Sequence, residues 1–382
     1  MVRSGICTSA FGIKAPIIKE GDNIVDAVID SVFNATRIHN DIYDIEDKDI
    51  IGITESVVAR SFGNYATIDD IAEDVKKKFF GNVLTLVNMI YSRNRFAMIL
   101  RGIARGIYKK GAELGFFDGK IYLYMPLIDE VGNISRNHPF TGMDYTEYYR
   151  EIIESEGVEC VIVESNFNPS DEHPTNVLYC GLHDYNQFKE RYSGFRYWYT
   201  LADILSDRCD WGVLGSNKAT EDKIKLFPNI KDCVRVCEDI KDKIKIVTGK
   251  DVLVCVYGDG CFHSPMINGI LGTSINEFAD PVTMPGYTDP EIFESTPNEI
   301  KIKAFADDKY KDLHGTELDN AIKNEIKEYN AHNLVGNMIA QGTTPRQYRD
   351  LIASLCDLVS GSGQKGTPII LIKNYFNNYA SY

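Results

Sequence analysis

The chain's 382 residues exceed what one core of ordinary size holds, so two units, or one core with a large insertion, are expected. Hydrophobic residues at 44% and charged residues at 25% are the values of a globular chain and exclude disorder as its main state. A formal charge of −14, from 41 basic and 55 acidic side chains, repels nucleic acid and anionic membrane surfaces, so neither is an expected partner.

The first residues, "MVRSGICTSAFGIKAP", lack an apolar signal core, and no run approaches the roughly eighteen apolar residues of a membrane span. A soluble, cytoplasmic protein is expected. Nine cysteines, at 7, 160, 180, 209, 233, 237, 255, 261 and 356, are scattered and never spaced C-x-x-C. This argues for a reducing compartment and against a disulfide framework or structural zinc.

In chain order, residues 22–36 predict a helix with Val25, Val28, Ile29, Val32 and Ala35 on one face and Asp22 as its cap. "DIIGIT" at 49–54 predicts a strand. Thr67 is expected to cap a helix whose face is Ile68, Ile71, Ala72, Val75 and Phe79. From 91 to about 200 the chain is rich in Tyr, Arg and Asn, with short strands such as "IYLYM" and "VECVIVES", which reads as an inserted module. A helix near 231–247, stopped by Gly249, and the strand "DVLVCVY" follow. Pro281, Pro285, Pro290 and Pro297 make 281–315 a long connection. Thr316 and Asp319 predict a cap for the next helix. A last helix, 346–359, enters "SGSGQKGT" and the strand "PIILIK". The expected fold class is α+β: a mixed sheet and helix core in parts 1–90 and 201–382, interrupted by an α/β module at 91–200.

Five stretches carry candidate chemistry. "SGSGQKGT" follows a helix and precedes a strand, the reverse of a Walker loop, and no G-x-G-x-x-G opens a helix. Ser360, Gly361, Ser362, Gly363, Gln364, Lys365, Gly366 and Thr367 fit an anion-binding nest of backbone N–H groups, and equally a helix stop at Gly361 followed by a turn. Asp259 in "VYGDGCF" fits a metal-bearing strand end or a hairpin turn. Thr54, Glu55, Ser56 and Arg60 offer hydroxyls, a carboxylate and a fork donor, enough for a phosphate and its metal, and fit an exposed helix start equally well. Thr220 in "GSNKATEDK" has the setting of a helix cap. Arg93, Arg95, Arg101 and Arg105 cluster in an acidic chain, and 101 and 105 share a helical face suited to a polyanion or to internal ion pairs.

Taken in order, these stretches resemble the γ-glutamyl ligase family that adds glutamate to the deazaflavin coenzyme F(420). The resembling residues are "APIIKEGDNIVDAVIDSV", "KDIIGITESVVARSFGN", "TGKDVLVCVYGDGCF" and "LCDLVSGSGQKGTPIILIKN", covering about the first 80 and last 170 residues. The layout with "SRNRFAMILRGIARG", "DEVGN" and "GNMIAQGTTPR" looks like a longer bacterial branch.

The resemblance implies a ligase core, GTP (or ATP) with Mg or Mn, and a homodimer. The partners implied are L-glutamate and a carboxylate-bearing small-molecule acceptor, joined through an acyl phosphate. It places Ala15, Pro16, Ile17, Ile18, Glu55, Ser56, Arg60 and the loop 360–367 at the nucleotide, with Thr220 as a further candidate. Asp259 is the implied metal ligand, supported by Asn217 and by Glu55 or Glu221. Arg93, Arg95, Arg101 and Arg105 are substrate-binding candidates, and no residue is assigned as catalytic. The chain departs from the family pattern at Glu55 for a hydroxyl residue and at Arg60 for lysine. Tyr257, Gly258 and Asp259 stand for a Thr-Asp-Thr motif, and Asn217 for an aspartate. A folate-type acceptor and a non-catalytic nucleotide-binding homologue are the alternative expectations.

Overall fold

The computed structural model describes residues 7–38, 44–89, 91, 95–116, 118–128, 136–165, 176–181, 196–258, 270–273, 300–328, 348–361 and 363–381. The chain opens with β1 (Ser9–Ile13) and α1 (Ile24–Ile38). Asn23, not Asp22, caps α1, because its side-chain oxygen accepts from the N–H groups of Val25 and Asp26 at 3.1 and 3.2 Å. Asp22 instead turns back to accept from the Lys19 N–H at 2.7 Å. β2 (Ile50–Thr54) runs without a loop into a short α2 (Glu55–Ser61), followed by β3 (Tyr65–Thr67) and α3 (Ile68–Lys78).

Thr67 caps α3 as its position predicts, in a reciprocal box with Asp70. Burial pushes the Asp70 carboxyl up, but bonds from Arg208 and from Thr67 outweigh it and hold the group at about 2, below its ordinary 3.8. A depressed acid contributes stability above its unfolded value and loses it as pH falls through the folded one. The expected result is a thermal midpoint that drops between about pH 4 and pH 2 and flattens there in Asp70→Asn. Parallel acid melting curves of the two proteins check it.

The middle of the chain is β4 (Val83–Val87), α4 (Arg95–Glu113), β5 (Lys120–Tyr124), α5 (Tyr145–Ser155), β6 (Glu159–Val163), β7 (Asn176–Tyr179) and β8 (Tyr197–Thr200). These strands make an all-parallel sheet in the order β6-β5-β4-β7-β8. Parallel neighbours need crossovers, and α4 and α5 supply two of them. Glycines let α4 lie close on α3: a Cβ at Gly102 would meet Ile71 at 2.7 Å, and one at Gly106 the Ala72 carbonyl at 2.7 Å. The two helices therefore run side by side in the same direction.

β9 (Asn217–Lys218) and β10 (Lys223–Lys225) form a hairpin that joins β3 in a three-stranded antiparallel sheet ordered β3-β10-β9. α6 (Ile230–Thr248) buries Cys233, Val236, Cys237, Ile240 and Ile244 and stops at Gly249, whose φ of 73° suits glycine. β11 (Leu253–Tyr257), β12 (Ile270–Thr273), α7 (Ile302–Asp307), α8 (Gly315–Glu328), α9 (Tyr348–Ser360) and β13 (Ile369–Lys373) complete the chain. α7 interrupts the expected connection, whose proline-rich part lies outside the described residues. Thr316 and Asp319 fall inside α8 rather than ahead of it, and Asp319 pairs with Lys323 at 3.0 Å.

The mixed sheet is ordered β1-β13-β2-β11-β12, with only β2 and β11 parallel. Period-two alternation gives it two buried faces. Ile51, Ile53, Val254 and Val256 pack with α1 and α6, while Ile50, Cys255, Tyr257 and Ile370 pack under Ile352, Ala353 and Cys356 of α9. Helices and mixed sheets together make this an α+β fold. All eight cysteines among the described residues are free thiols, most of them buried.

Candidate functional site

Strand ends line sites because the side chains that follow them are held by buried backbone. β2 ends at Thr54, whose N–H donates to the Pro368 carbonyl at 3.0 Å, while Ala15, just past β1, donates to Gly366 at 3.2 Å. Across from them α9 ends at Ser360. Gly361, at φ 62°, closes the helix with an N–H bond to the Asp357 carbonyl at 3.1 Å. A single 3-10 turn over Gly363–Lys365 follows, and Thr367 reaches back with its hydroxyl to the Ser360 carbonyl at 2.9 Å. The stop and the loop are thus one structure: the glycine that ends the helix also bends the chain around a cavity.

That cavity, about 380 Å³, is bounded by Ala15 to Ile18, Thr54 to Val57, Arg60, Asn217, Asp357, Ser360, Gly361, Gly363 and Gly366 to Pro368. It gathers Pro16, Ile17, Ile18, Glu55, Ser56, Arg60, Asn217, Ser360, Gly361, Gly363, Gly366 and Thr367 from four segments far apart in sequence. Gln364 and Lys365 lie in the same turn, with the Lys365 side chain folded over Gly361, where an added Cβ would meet its ammonium at 2.8 Å. Behind the loop Tyr257 is buried with its hydroxyl beside Ser360, and burial pushes that phenol well up.

Other candidates fall elsewhere. Thr220 caps no helix; it turns the β9–β10 hairpin, its hydroxyl accepting from the N–H groups of Asp222 and Lys223. Glu221 pairs with Lys218 at 2.8 Å, away from the cavity. Arg105 grips Glu156 through Nε and Nη2, both at 2.9 Å, and Asp69 at 3.2 Å. Arg101 approaches the same Glu156 at 3.7 Å. These two guanidiniums tie α4 to the end of α5 and to α3, because Glu156, just past α5, and Asp69 on α3 face them. Arg95 is the first residue of α4. Asp259, Ser362 and Arg93 lie outside the described residues.

Two site groups have no local sequence signal. Lys225 on β10 holds both Glu55 oxygens, at 2.7 and 2.6 Å, with side chains only 8% and 6% exposed. Glu55, expected at a metal, thus has its carboxylate engaged by an ammonium at the cavity wall. Asp357 reaches the cavity from the last turn of α9, one helical turn before Ser360. No group of three His, Cys, Asp or Glu among the described residues is placed to hold a metal ion. Magnesium sites often use one or two carboxylates together with substrate phosphates; Asp357 and Asn217 both line the cavity.

A mixed-sheet core, a glycine-bent loop and a cavity at the strand ends characterise this α+β fold. A family model described as F(420)-0:gamma-glutamyl ligase matches residues 12–374, and the chain belongs to that family. Its members are γ-glutamyl ligases, enzymes that form an amide bond with glutamate. No curated protein gives a match. No helix among the described residues is long and apolar enough to cross a membrane.

Proposed function

We propose that the cavity binds the phosphates of GTP or ATP, and that the chain uses the γ-phosphate to join an acceptor carboxylate to the amine of L-glutamate. The observation that carries this reading is the convergence of segments 15–18, 54–60, 217 and 357–368 on one cavity walled by a glycine-bent loop. A carboxylate is a poor electrophile until its oxygen becomes a good leaving group. Transfer of a phosphoryl group to that oxygen gives an acyl phosphate, and attack by the glutamate nitrogen expels phosphate and forms the amide.

The residues on hand suit the first half of this task. Backbone N–H groups of Gly363, Gln364 and Lys365 and the Ser56 hydroxyl donate to phosphate oxygens, and the Arg60 guanidinium adds a fork. Pro16, Ile17 and Ile18 offer an apolar edge for a base. Asp357 and Asn217, with the phosphates, would hold Mg or Mn, which would neutralise charge that develops on the transferred group. Lys225 keeps Glu55 from repelling the polyphosphate. Residues 91–200 are proposed as an inserted module between the two parts of the core, and a homodimer as the assembled form, to be read by sedimentation.

Titration calorimetry with GTP and ATP, with and without Mg or Mn, tests the site. Arg60→Ala is expected to weaken nucleotide binding by about 1.5–3 kcal/mol, the worth of a charge-assisted hydrogen bond. An Arg60→Ala protein that binds as tightly as wild type would remove the cavity from the reading. Binding without turnover, with labelled glutamate and a panel of carboxylate acceptors, would identify a non-catalytic homologue.

A further inference from the structure

Tyr257 ends β11 beneath the cavity loop. It pairs in parallel register with Thr54, which lines the cavity, and it shares a buried cluster with Ala353 and Cys356 of α9. Ser360 stands one helical turn beyond Cys356. The phenol is therefore closed in between a strand end and a helix end that both belong to the cavity wall.

A buried hydroxyl is ordinarily hydrogen-bonded, because leaving it unpaired away from water is costly. The Tyr257 side chain is 1% exposed, yet its hydroxyl has no hydrogen-bond partner among the described residues. It lies beside Ser360 without forming a bond to it. Ser360 directs its own proton elsewhere: its hydroxyl donates to the Asp357 carbonyl at 2.9 Å.

That last bond is expendable. The Asp357 carbonyl also accepts from the Gly361 N–H at 3.1 Å, and the Ser360 carbonyl is held by the Thr367 hydroxyl at 2.9 Å. Turning the Ser360 hydroxyl about its Cα–Cβ bond thus leaves no carbonyl of this turn unpaired, and the helix end keeps its ties. Ser360 lines the cavity, so a hydroxyl released from Asp357 can point at an anion there. A serine oxygen donates once and accepts twice. With its proton aimed into the cavity, its lone pairs are left for Tyr257.

We propose that Tyr257 is a positioning residue for the nucleotide: its hydroxyl donates to Ser360 Oγ, and Ser360 in turn donates to a phosphate oxygen. The proposal rests on the ligase reading above and deepens it. Two hydroxyls in series polarise one another, so the bond that reaches the phosphate is strengthened by the one behind it. The arrangement also satisfies the buried phenol, so phosphate binding relieves an unpaired group. Tyr257→Phe, which keeps the ring and removes only the oxygen, then has two opposite effects. It removes an uncompensated buried hydroxyl from the protein without nucleotide, and it cuts the relay in the complex.

Calorimetry with GTP and ATP in the presence of Mg, and thermal unfolding without nucleotide, test this on wild type, Tyr257→Phe, Ser360→Ala, the double variant and Arg60→Ala. Tyr257→Phe is expected to raise the unfolding midpoint and to weaken binding of the nucleotide that wild type takes by about three- to tenfold. Added to Ser360→Ala, it is expected to cost no further affinity, because the relay is already cut. A lowered midpoint, an unchanged affinity, or a full second loss in the double variant overturns the proposal. If Arg60→Ala weakens binding and Tyr257→Phe does not, the nucleotide reading stands and the relay falls. If wild type binds neither nucleotide, both fall.

Discussion

Lys225→Met is expected to lower unfolding stability by about 3–5 kcal/mol, the cost of leaving one partner of a buried pair uncompensated. The ammonium meets both Glu55 oxygens within 2.7 Å, and both side chains are almost fully enclosed. The anion left behind would stand at the cavity wall with no cation against it. Nucleotide affinity is expected to fall with stability, because the unpaired carboxylate then repels polyphosphate. Pairing Lys225→Met with Glu55→Gln removes the stranded charge and is expected to recover much of the loss, since a buried ion pair is worth little against a neutral replacement. Urea unfolding of the single and double variants measures both terms. A single variant that loses under about 1 kcal/mol, the worth of an exposed pair, would show that water reaches the pair.

Gly52→Ala is expected to damage the cavity from beneath. A Cβ on Gly52 would stand 2.4 Å from Cys356 Sγ and 3.4 Å from the Tyr257 ring. Cys356 belongs to α9, and the end of α9 carries the loop from Ser360 to Thr367. Overpacking of this kind costs about 1–3 kcal/mol in stability. The displacement it forces is expected to weaken nucleotide binding by about tenfold or more, because on the proposed reading the loop's N–H groups meet phosphate oxygens within a few tenths of an ångström. Gly52→Ala with Cys356→Ala opens the space that Sγ occupied, so the double variant is expected to regain binding. Calorimetry on the pair decides it: a double variant as weak as the single would place the defect outside this contact.

Local chemistry was legible wherever the deciding partner lies within a turn of the residue. Thr67 and Asp70 cap α3 because they are three positions apart, and Gly249 stops α6 because a left-handed residue is needed there. The same reasoning misjudged Asp22, where the neighbouring Asn23 reaches the same N–H groups, and Thr220, whose hydroxyl serves a hairpin as readily as a helix. β2, β11 and β13 were readable as apolar runs, but a run does not state its neighbours. That β2 lies between β13 and β11, antiparallel to one and parallel to the other, is settled by packing on both faces.

By itself the sequence determined the apolar faces of α1, α3 and α6, the start of α3 and the stop of α6, the glycine-bent stretch before the last strand and the ordered motifs that mark the family. Tertiary structure alone decided that Lys225 neutralises Glu55 across 170 positions of chain, that Glu156 and Asp69 hold Arg105, and that the winding of the parallel sheet reverses between β4 and β7. The physical reason is common to all three. Charge pairing and strand neighbours depend on which surfaces meet after burial, and no local propensity carries that information.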